Sequence, residues 1–369
     1  MNSFWTDKTV LVTGHTGFKG TWLTMWLRLL GAQVVGLSLN PETQPSIFKL
    51  SGLEKHISHN IVDIRDQEKV EILVEKTRPD VIFHLAAQPI VLESYENPLS
   101  TYQTNVMGTV NLLDALKGTE HLCAVVFITS DKCYENKEWV QLYREDDELG
   151  GFDPYSSSKA CAELAISSYR RAFFNPNKGG NVLISSARAG NVIGGGDWAK
   201  HRIIPDCMRS IKAKEPIQVR NKIANRPWQH VLEPLSGYLT LAQKSYEALI
   251  LKDTNAIFRL ASAFNFGPEL FSNKTVEEVV KEVLKHVEGK WVDVPNPFAK
   301  HEAFSLNLSI AKAYKILNWK PLWDFERTIF ETVLWYKKSE EIMSSPEKIQ
   351  KLMCDQVNSY EQQKKECAS

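Results

Sequence analysis

Several features that define other classes of protein are absent from this sequence of 369 residues. Its six cysteines are scattered without a CxxC pair, which argues against a disulfide framework or a zinc site and favours a reducing compartment. Basic and acidic residues balance at 44 each, so no excess charge points to nucleic acid or an anionic membrane. No apolar run approaches the ~20 residues of a membrane helix, and Met1 to Asp7 lack the regions of a signal peptide. We therefore expect a cytoplasmic protein without a metal, nucleic-acid or membrane partner.

The segment around which the chain is organised lies near its start. An apolar, β-branched run at Thr9–Thr13 predicts a strand, and an apolar run from Thr21 to Leu27 predicts a helix. Between them stand Gly14, Gly17 and Gly20, whose missing Cβ atoms allow a tight turn and a close approach to a ligand. The N–H groups at the start of such a helix suit a pyrophosphate. A glycine-rich turn without a ligand is the alternative.

Buried-type strands and helices alternate through the first half of the chain. The predicted strands are Gln33–Leu39, Ile61–Ile64, Val81–Leu85 and Ala124–Ile128, and the predicted helices run from Asp66 to about Lys76 and from Pro98 to Leu116. This alternation predicts an α/β fold with a doubly wound parallel sheet of the Rossmann type. Ser38 stands where NAD-binding folds usually carry an acid, so the choice between NAD and NADP stays open.

The chain is expected to divide into two lobes and a tail. We expect residues 1–190 to form the dinucleotide-binding domain with the catalytic residues, and residues 191–340 to form mainly a smaller α/β substrate-binding lobe. Residues 341–369 are polar and charged, which predicts a loosely ordered tail. In the second lobe we predict helices at Pro234–Leu249, Thr275–His286 and Trp323–Lys337, and a strand at Ile257–Leu260.

Ligands of such sheets bind at the carboxyl ends of the strands. Three segments emerge there, namely the glycine turn, Ala86–Gln88 and Thr129–Lys132. Tyr155 and Lys159 follow on a helix, one turn apart on the same face. A cation so placed lowers the pKa of a tyrosine, which can then remove a proton from a sugar hydroxyl while a nicotinamide takes the hydride. The alternatives are a solvated helix face and, for Asp131-Lys132, a surface ion pair.

The motifs of this chain resemble those of the extended short-chain dehydrogenase/reductases, the NAD-dependent epimerase/dehydratase family. The strings that carry the resemblance are GHTGFKG (14–20), TSDKCY (129–134), YSSSK (155–159), RAGNVIGGGDW (188–198) and RPWQHVLEPLSGY (226–238). The resemblance covers about residues 4–335 and is closest to sugar-nucleotide 4,6-dehydratases that act on CDP-sugars. Dehydratases of dTDP-sugars carry Asp-Glu where this chain has Asp131-Lys132.

The resemblance implies a cofactor, NAD, that is tightly bound and regenerated in each turnover. The residues that it implies for cofactor binding are Gly14, His15, Thr16, Gly17, Phe18, Gly20, Ser38, Asp63, Ile64, Leu85, Ala86, Ala87, Gln88, Asn105, Thr129, Tyr155, Lys159 and Arg188. The candidate substrate-binding residues are Gln88, Asn191, Arg202, Arg220, Arg226, His301 and Glu302. We also expect Gly194–Trp198 to form a flexible loop over the ligand. Leu92-Glu93 and His201 depart from the family pattern, which leaves the sugar and the nucleotide open.

The implied reaction converts CDP-glucose to CDP-4-keto-6-deoxyglucose and water. Ser130, Tyr155 and Lys159 would serve oxidation at C4, and Asp131 and Lys132 would act as acid and base in the elimination across C5 and C6. A sugar-nucleotide 4-epimerase needs only the first three residues and is the enzymatic alternative. A non-catalytic dinucleotide-binding protein is the alternative of another class.

The resemblance also implies partners. The helices that begin near Pro98 and Tyr155 pair with their copies in the family, so we expect a homodimer or a tetramer. Cys161, Leu164, Ala165 and Tyr169 form a stripe that fits such an interface or the core of a single chain. The product would feed dideoxysugar synthesis for a surface polysaccharide such as a lipopolysaccharide O-antigen.

Overall fold

The fold is built on a central parallel sheet. The computed structural model describes residues 3–175, 178–200, 202–295 and 306–367. The strands are β1 Thr9–Thr13, β2 Gln33–Ser38, β3 Ser58–Ile61, β4 Val81–His84, β5 Cys123–Ile128, β6 Val182–Ala189, β7 Val192–Ile193, β8 Ile217–Val219, β9 Asn225–Pro227, β10 Gln229–His230, β11 Ala263–Phe266, β12 Asn273–Thr275 and β13 Trp291–Asp293. Seven of them form one sheet in the order β11-β6-β5-β4-β1-β2-β3, and every pairing in it is parallel.

The composition of the central strands explains this sheet. Every residue of β4 and β5 is buried, as expected for strands that helices cover on both faces. The helices are α1 Phe18–Leu29, α2 Ile47–Leu50, α3 Gln67–Thr77, α4 Val91–Glu96, α5 Pro98–Tyr102, α6 Gly108–Ala115, α7 Pro154–Ala172, α8 Ile203–Ala213, α9 Leu232–Leu251, α10 Thr254–Leu260, α11 Val276–Leu284, α12 Phe325–Glu340 and α13 Pro346–Glu366. The predicted fold class is confirmed.

Three local predictions differ from the structure. The strand expected at Ile61–Ile64 is shifted to Ser58–Ile61, and the helix expected from Pro98 to Leu116 contains a π-helical segment at Gln103–Met107. The strand expected at Ile257–Leu260 is wrong because these residues belong to α10. The Asp253 side chain caps that helix by accepting hydrogen bonds from the N–H groups of Asn255 and Ala256.

The expectation of a loosely ordered tail after residue 340 is also wrong. Most of it is the helix α13, which buries Ile349, Met353, Val357 and Tyr360 at helical spacing against the main core. The ring of Tyr360 packs edge-on to Trp26 of α1 with 5.6 Å between ring centroids. The polar composition of α13 therefore conceals a narrow apolar stripe. The division between the two lobes at residue 190 stays a prediction. Among the described residues, no helix is long and apolar enough to cross a membrane.

The glycine loop of residues 194–197 is packed inside the molecule. A Cβ atom on Gly195 would lie 2.1 Å from the ring of Trp335, so only glycine fits there. The indole N–H of Trp22 donates to the carbonyl oxygen of Gly195 at 2.9 Å. Gly194–Asp197 are all buried. The loop that was predicted to be flexible is thus packed between α1 and α12, and of its residues only Trp198 at its end is partly exposed.

Candidate active site

The glycine turn lies at the carboxyl ends of β1 and β4. Gly14 adopts a φ of +73°, and a Cβ atom on it would lie 2.7 Å from the Ala86 nitrogen. A Cβ atom on Gly20 would lie 2.1 Å from the Gly14 carbonyl oxygen, so this glycine lets α1 pack against the turn. Gly17 is exposed and no side chain caps the first turn of α1. The unpaired N–H groups of this helix start can therefore donate hydrogen bonds to an anionic group such as a pyrophosphate.

Hydroxyl groups close the edge of the turn beside β2. Thr16 donates to the Leu39 carbonyl oxygen at 2.9 Å, and its hydroxyl lies 2.7 Å from that of Ser38. His15 is buried, and its Nε2 lies 2.7 Å from Nδ1 of His59. Burial and, next, the charge of His59 lower the pKa of His15 to about 4, so its imidazole is neutral. Ser38 stands where an acid was expected, and its hydroxyl is hydrogen-bonded to that of Thr16.

Gln88 and Asn105 connect the end of β4 to α7. The Asn105 amide donates to the Ser158 hydroxyl at 2.9 Å and to the Gln88 carbonyl oxygen at 3.1 Å, while its oxygen accepts the Gln88 N–H at 2.8 Å. The Gln88 amide donates to Thr101 at 2.8 Å. Because both side chains are bonded to protein groups, this arrangement favours positioning of the site over the direct ligand contacts that the resemblance implied.

The predicted cofactor residues at the end of β3 are differently placed. Asp63 forms an ion pair with Arg65 at 2.6 Å, which holds the pKa of the carboxyl below its usual range. Ile64 is buried in the core that lies between α3 and α6, and a Cβ atom on Gly108 would touch it. Leu85 and Ala87 are half-buried where β4 ends, beside the glycine turn.

The turn after β5 carries three of the predicted catalytic residues, Ser130, Asp131 and Lys132. Ser130 caps a short 3-10 helix at Asp131–Cys133, and its hydroxyl donates to Oδ1 of Asp131 at 2.8 Å. Asp131 is only 5 % exposed, and its Oδ2 lies 3.0 Å from where a Cβ atom would stand on Gly190. Burial raises the pKa of Asp131, although the charge of Lys132 and the Ser130 bond oppose it. Such a carboxyl is suited to hold a proton.

The helix α7 packs against this turn and presents the other two. Asp153 caps it by accepting the Ser156 N–H at 2.9 Å, and Pro154 occupies its first position. Tyr155 and Lys159 are both buried, and Tyr155 forms a hydrogen bond with Ser130. The structure thus brings together the three residues that were predicted to serve oxidation.

The expected lowering of the pKa of Tyr155 is not found. Burial raises it to about 12, which outweighs the hydrogen bond with Ser130 and the charge of Arg202. Burial also lowers the pKa of Lys159 to about 8. The physical reason is that both charged forms lose water in the closed interior, a cost that spacing along a helix does not report. Ionisation of this tyrosine therefore requires further positive charge in the site.

Lys19 is a candidate site residue that the sequence reasoning missed. It is the second residue of α1 and half-buried, and it has no ion-pair partner among residues 3–175, 178–200, 202–295 and 306–367. Burial and, next, the charges of Arg202 and Lys159 lower its pKa to about 8, while the charge of Asp131 opposes them. The available signal was a lysine in the first turn of a helix, where the helix dipole disfavours a cation unless an anion binds there.

The predicted arginines separate into two groups. Arg202 donates to Oδ2 of Asp197 at 2.8 Å and its charge acts on Tyr155. Arg226 is buried on β9, and its charge acts on Asp131. Arg220 lies farther out, with its side chain 49 % exposed and 3.6 Å from Asp206. Arg202 and Arg226 are therefore the better candidates for a diphosphate near the catalytic turn.

Other predicted substrate residues are less informative. The carbonyl oxygen of Asn191 accepts the Gln229 N–H at 3.3 Å, and its side chain is half-buried. His301 and Glu302, and also the departure at His201, lie outside the described residues. Leu92 is exposed on α4, and Glu93 accepts a hydrogen bond from the Asn97 amide.

Arg188 has a different surrounding from the one that the resemblance implied. Its guanidinium forms an ion pair with Glu163 at 2.9 Å and donates to the Tyr134 hydroxyl at 2.8 Å and the Glu145 carbonyl oxygen at 3.0 Å. It is 3 % exposed. Thr129, another predicted cofactor residue, donates from its hydroxyl to the same Glu163 at 2.5 Å. These contacts favour a role in the scaffold of the site for both side chains.

Comparisons with known proteins agree with this geometry. The family described as GDP-mannose 4,6 dehydratase matches residues 11–332. CDP-glucose 4,6-dehydratase of Salmonella typhimurium is 47 % identical over 91 % of this chain and 92 % of its own length. UDP-glucose 4-epimerase 2 of Oryza sativa subsp. japonica is 25 % identical over 90 % of this chain and 82 % of its own length.

A solved structure supports the fold. The structure of dTDP-glucose 4,6-dehydratase from Bacillus anthracis in complex with NAD superposes with a TM-score of 0.73 at 22 % identity, covering 92 % of this chain and all of the other. The family match over residues 11–332 and the 47 % identical relative confirm the family resemblance seen in the motifs. The chain belongs to the GDP-mannose 4,6 dehydratase family.

Proposed function

We propose that this protein is a nicotinamide-dependent nucleotide-sugar 4,6-dehydratase, a hydro-lyase, that converts CDP-D-glucose to CDP-4-keto-6-deoxyglucose and water. The observation that carries the proposal is the 47 % identity over 91 % of the chain to a CDP-glucose 4,6-dehydratase. The buried carboxyl of Asp131 and the half-buried Lys132, beside Ser130 and Tyr155, support it, because an elimination needs an acid and a base beyond the groups that serve oxidation. The product would supply the synthesis of dideoxysugars for a surface polysaccharide.

The residues of the glycine turn fit a dinucleotide. Gly14 and Gly20 keep backbone atoms in contact at the crossing of β1, β4 and α1, and Gly17 leaves the first N–H groups of α1 open. Lys19 adds a positive charge next to these groups. NAD is the proposed cofactor, and NADP remains an outcome of the test because Ser38 is not an acid.

Oxidation at C4 of the sugar is assigned to Tyr155, Ser130 and Lys159. The Ser130 hydroxyl orients the substrate oxygen, and Oη of Tyr155 accepts the proton of the C4 hydroxyl. A bound, oxidised nicotinamide would supply positive charge to the site and the capacity to take up a hydride from C4 and give it back at C6. The ammonium of Lys159 and the guanidinium of Arg202 stabilise the phenolate of Tyr155, whose pKa is otherwise raised to about 12 by burial.

Loss of water is assigned to Asp131 and Lys132. The 4-ketone makes the C5 proton acidic, and Nζ of Lys132 accepts that proton. The carboxyl group of Asp131 protonates the C6 hydroxyl as the C6–O bond breaks, so that a C5–C6 double bond forms and water leaves. The raised pKa of Asp131 keeps the protonated form available for this step.

The first experiment offers the purified protein CDP-, dTDP-, GDP- and UDP-glucose, each with NAD⁺ or NADP⁺. Mass spectrometry then detects a product that has lost water. We expect this product from CDP-glucose with NAD⁺. Loss of water from another nucleotide sugar alone would overturn the assignment of the substrate, and no loss from any of them would overturn the assignment of the reaction.

A 4-epimerase is the second candidate, because epimerases are among the relatives. An epimerase returns the hydride to C4 and gives an isomer of unchanged mass, so the same experiment separates the two reactions. A non-catalytic dinucleotide-binding protein would show no turnover. Turnover that the substitution Tyr155→Phe abolishes would exclude it.

The exposed apolar residues of α5, the π-helical segment and α7 support a homodimer. Leu99, Met107 and Leu164 have 71 %, 51 % and 57 % of their surfaces exposed on neighbouring helices. Such residues on packed helices are suited to bury one another across a two-fold axis. Light scattering should give the mass of a dimer, or of a tetramer, for the native protein and a smaller mass for Leu164→Glu. A monomeric native protein would overturn this proposal.

A further inference from the structure

Glu163 is a buried carboxylate that the reaction steps above do not use. It lies on α7 and is 3 % exposed. Its Oε1 accepts the hydroxyl of Thr129 at 2.5 Å, and its Oε2 accepts the hydroxyl of Ser186 and the guanidinium of Arg188, both at 2.9 Å. These partners come from the end of β5 and from β6. One side chain therefore bonds three elements of the fold at a single point.

That point adjoins the catalytic groups on two sides. Thr129 immediately precedes Ser130, Asp131 and Lys132, so a bond to Thr129 holds the base of the turn that carries them. Lys159 lies one helical turn before Glu163 on the same face of α7. The turn and the helix supply all five predicted catalytic residues. Glu163 is hydrogen-bonded to the turn through Thr129 and is itself a residue of the helix.

We propose that Glu163 is a positioning residue, which fixes the turn after β5 against α7 and supplies the negative charge that keeps Lys159 in its ammonium form. This inference rests on the proposed function. Arg188 completes the arrangement because it neutralises and orients Glu163 from β6. The ion pair of Arg188 with Glu163 therefore serves to align the site and does not contact a ligand.

The charges around both groups are consistent with these roles. Burial raises the pKa of Glu163, but the charge of Arg188 and the three hydrogen bonds outweigh it, so the carboxylate is ionised. The titratable groups that act on Lys159 are Glu163 on its own helix, the Cys133 thiol after β5, Lys19 of α1 and His84 of β4. The thiol is neutral because burial raises its pKa. Glu163 is therefore the ionised acid among these groups.

The test compares kcat and KM for CDP-glucose across pH in the native protein and in Glu163→Gln. Without the negative charge, the pKa of Lys159 falls, so the alkaline limb of the kcat profile should move to lower pH. We expect kcat near neutral pH to fall on the order of 10²-fold, the effect of a misplacement of about 1 Å, with KM little changed. Glu163→Asp keeps the charge, so it should restore the native pH profile even where kcat stays reduced.

Two further variants keep the test decisive. Glu163→Gln leaves Arg188 buried without its anion and can fail to fold, whereas Glu163→Gln/Arg188→Met removes both charges and should fold. The double variant should show the same loss of kcat. Glu233→Gln is the matched control, because Glu233 is also fully buried and also accepts three hydrogen bonds, from Leu322, Trp323 and Tyr360. It should change stability and leave kcat unaltered.

The outcomes separate this inference from the proposed function. An inactive native protein would refute the proposed dehydratase reaction. An active native protein together with an unshifted pH profile and native kcat in a folded Glu163→Gln or double variant would refute the role of Glu163. A lower thermal midpoint with kcat per folded molecule unchanged would show a purely structural role and would also refute it.

Discussion

Glu233 is a buried carboxylate whose ionisation should destabilise the fold as the pH rises. It is fully buried on α9, and it accepts hydrogen bonds from the backbone N–H groups of Leu322 and Trp323 and from the Tyr360 hydroxyl. Burial outweighs these bonds and raises its pKa from the usual 4.5 to about 7. The carboxyl thus joins α9 to the segment before α12 and to α13.

The sign of the effect follows from proton binding. Between pH 4.5 and about 7 the folded chain keeps the proton of Glu233 while the unfolded chain releases it, so stability falls as the pH rises through this window. Each pKa unit corresponds to about 1.4 kcal/mol, which gives a loss of about 2–3 kcal/mol from this group between about pH 5 and about pH 8. Above that window the contribution of the group is constant.

Equilibrium unfolding in urea at several pH values tests this expectation. Glu233→Gln cannot ionise, so the difference in free energy of unfolding between it and the native protein should change by about 2–3 kcal/mol across the window, in favour of the variant at high pH. Tyr360→Phe removes one donor to the carboxylate and should move the transition to higher pH. A difference that is the same at all pH values would refute the raised pKa, since every other titrating group cancels.

Four further outcomes are expected. Lys132→Ala should still reduce bound nicotinamide with CDP-glucose, seen by absorbance, but stall before water is lost; full turnover would exclude Lys132 as the base. Asp131→Asn should slow loss of the C6 hydroxyl, and an effect on KM alone would make it a binding residue. Lys19→Met should weaken dinucleotide binding in a fluorescence titration about 10-fold or more; unchanged affinity would contradict its role. Gly195→Ala should destabilise the fold by at least about 1–3 kcal/mol in thermal unfolding, unlike Gly180→Ala, where a Cβ atom meets nothing within 4 Å.

Features encoded over a few residues were predictable from the sequence. The strand, glycine turn and helix at the start appear as expected, and the helices predicted from Asp66 and Thr275 begin there, each capped by that side chain. Such signals need only the chain next to them, because a cap or a tight turn is decided within a few residues. The same reasoning placed Tyr155 one helical turn from Lys159.

Features that depend on distant partners were not predictable in this way. The glycines of residues 194–196 suggest mobility until Trp335 is seen to fill the space beside Gly195. The helix α13 has a polar average composition, and its order comes from contacts with α1 and Glu233 that lie more than a hundred residues away in the chain. Arg188 belongs to a motif string, but the sequence alone does not show that Glu163 is its partner.

Two of the buried carboxylates near the catalytic turn, Glu163 and Asp131, show how the surroundings of a group decide its chemistry. Glu163 faces the guanidinium of Arg188 and accepts three hydrogen bonds, so its pKa is lowered and it stays an anion. Asp131 is equally enclosed but has one hydroxyl donor and the more distant charges of Lys132 and Arg226, so its pKa is raised. One fold thus holds a permanent anion and a proton donor close to the same turn. The elimination needs the proton donor, Asp131, and the alignment of Lys159 needs the anion, Glu163. If the two carboxyl groups exchanged surroundings, the site would lose both functions.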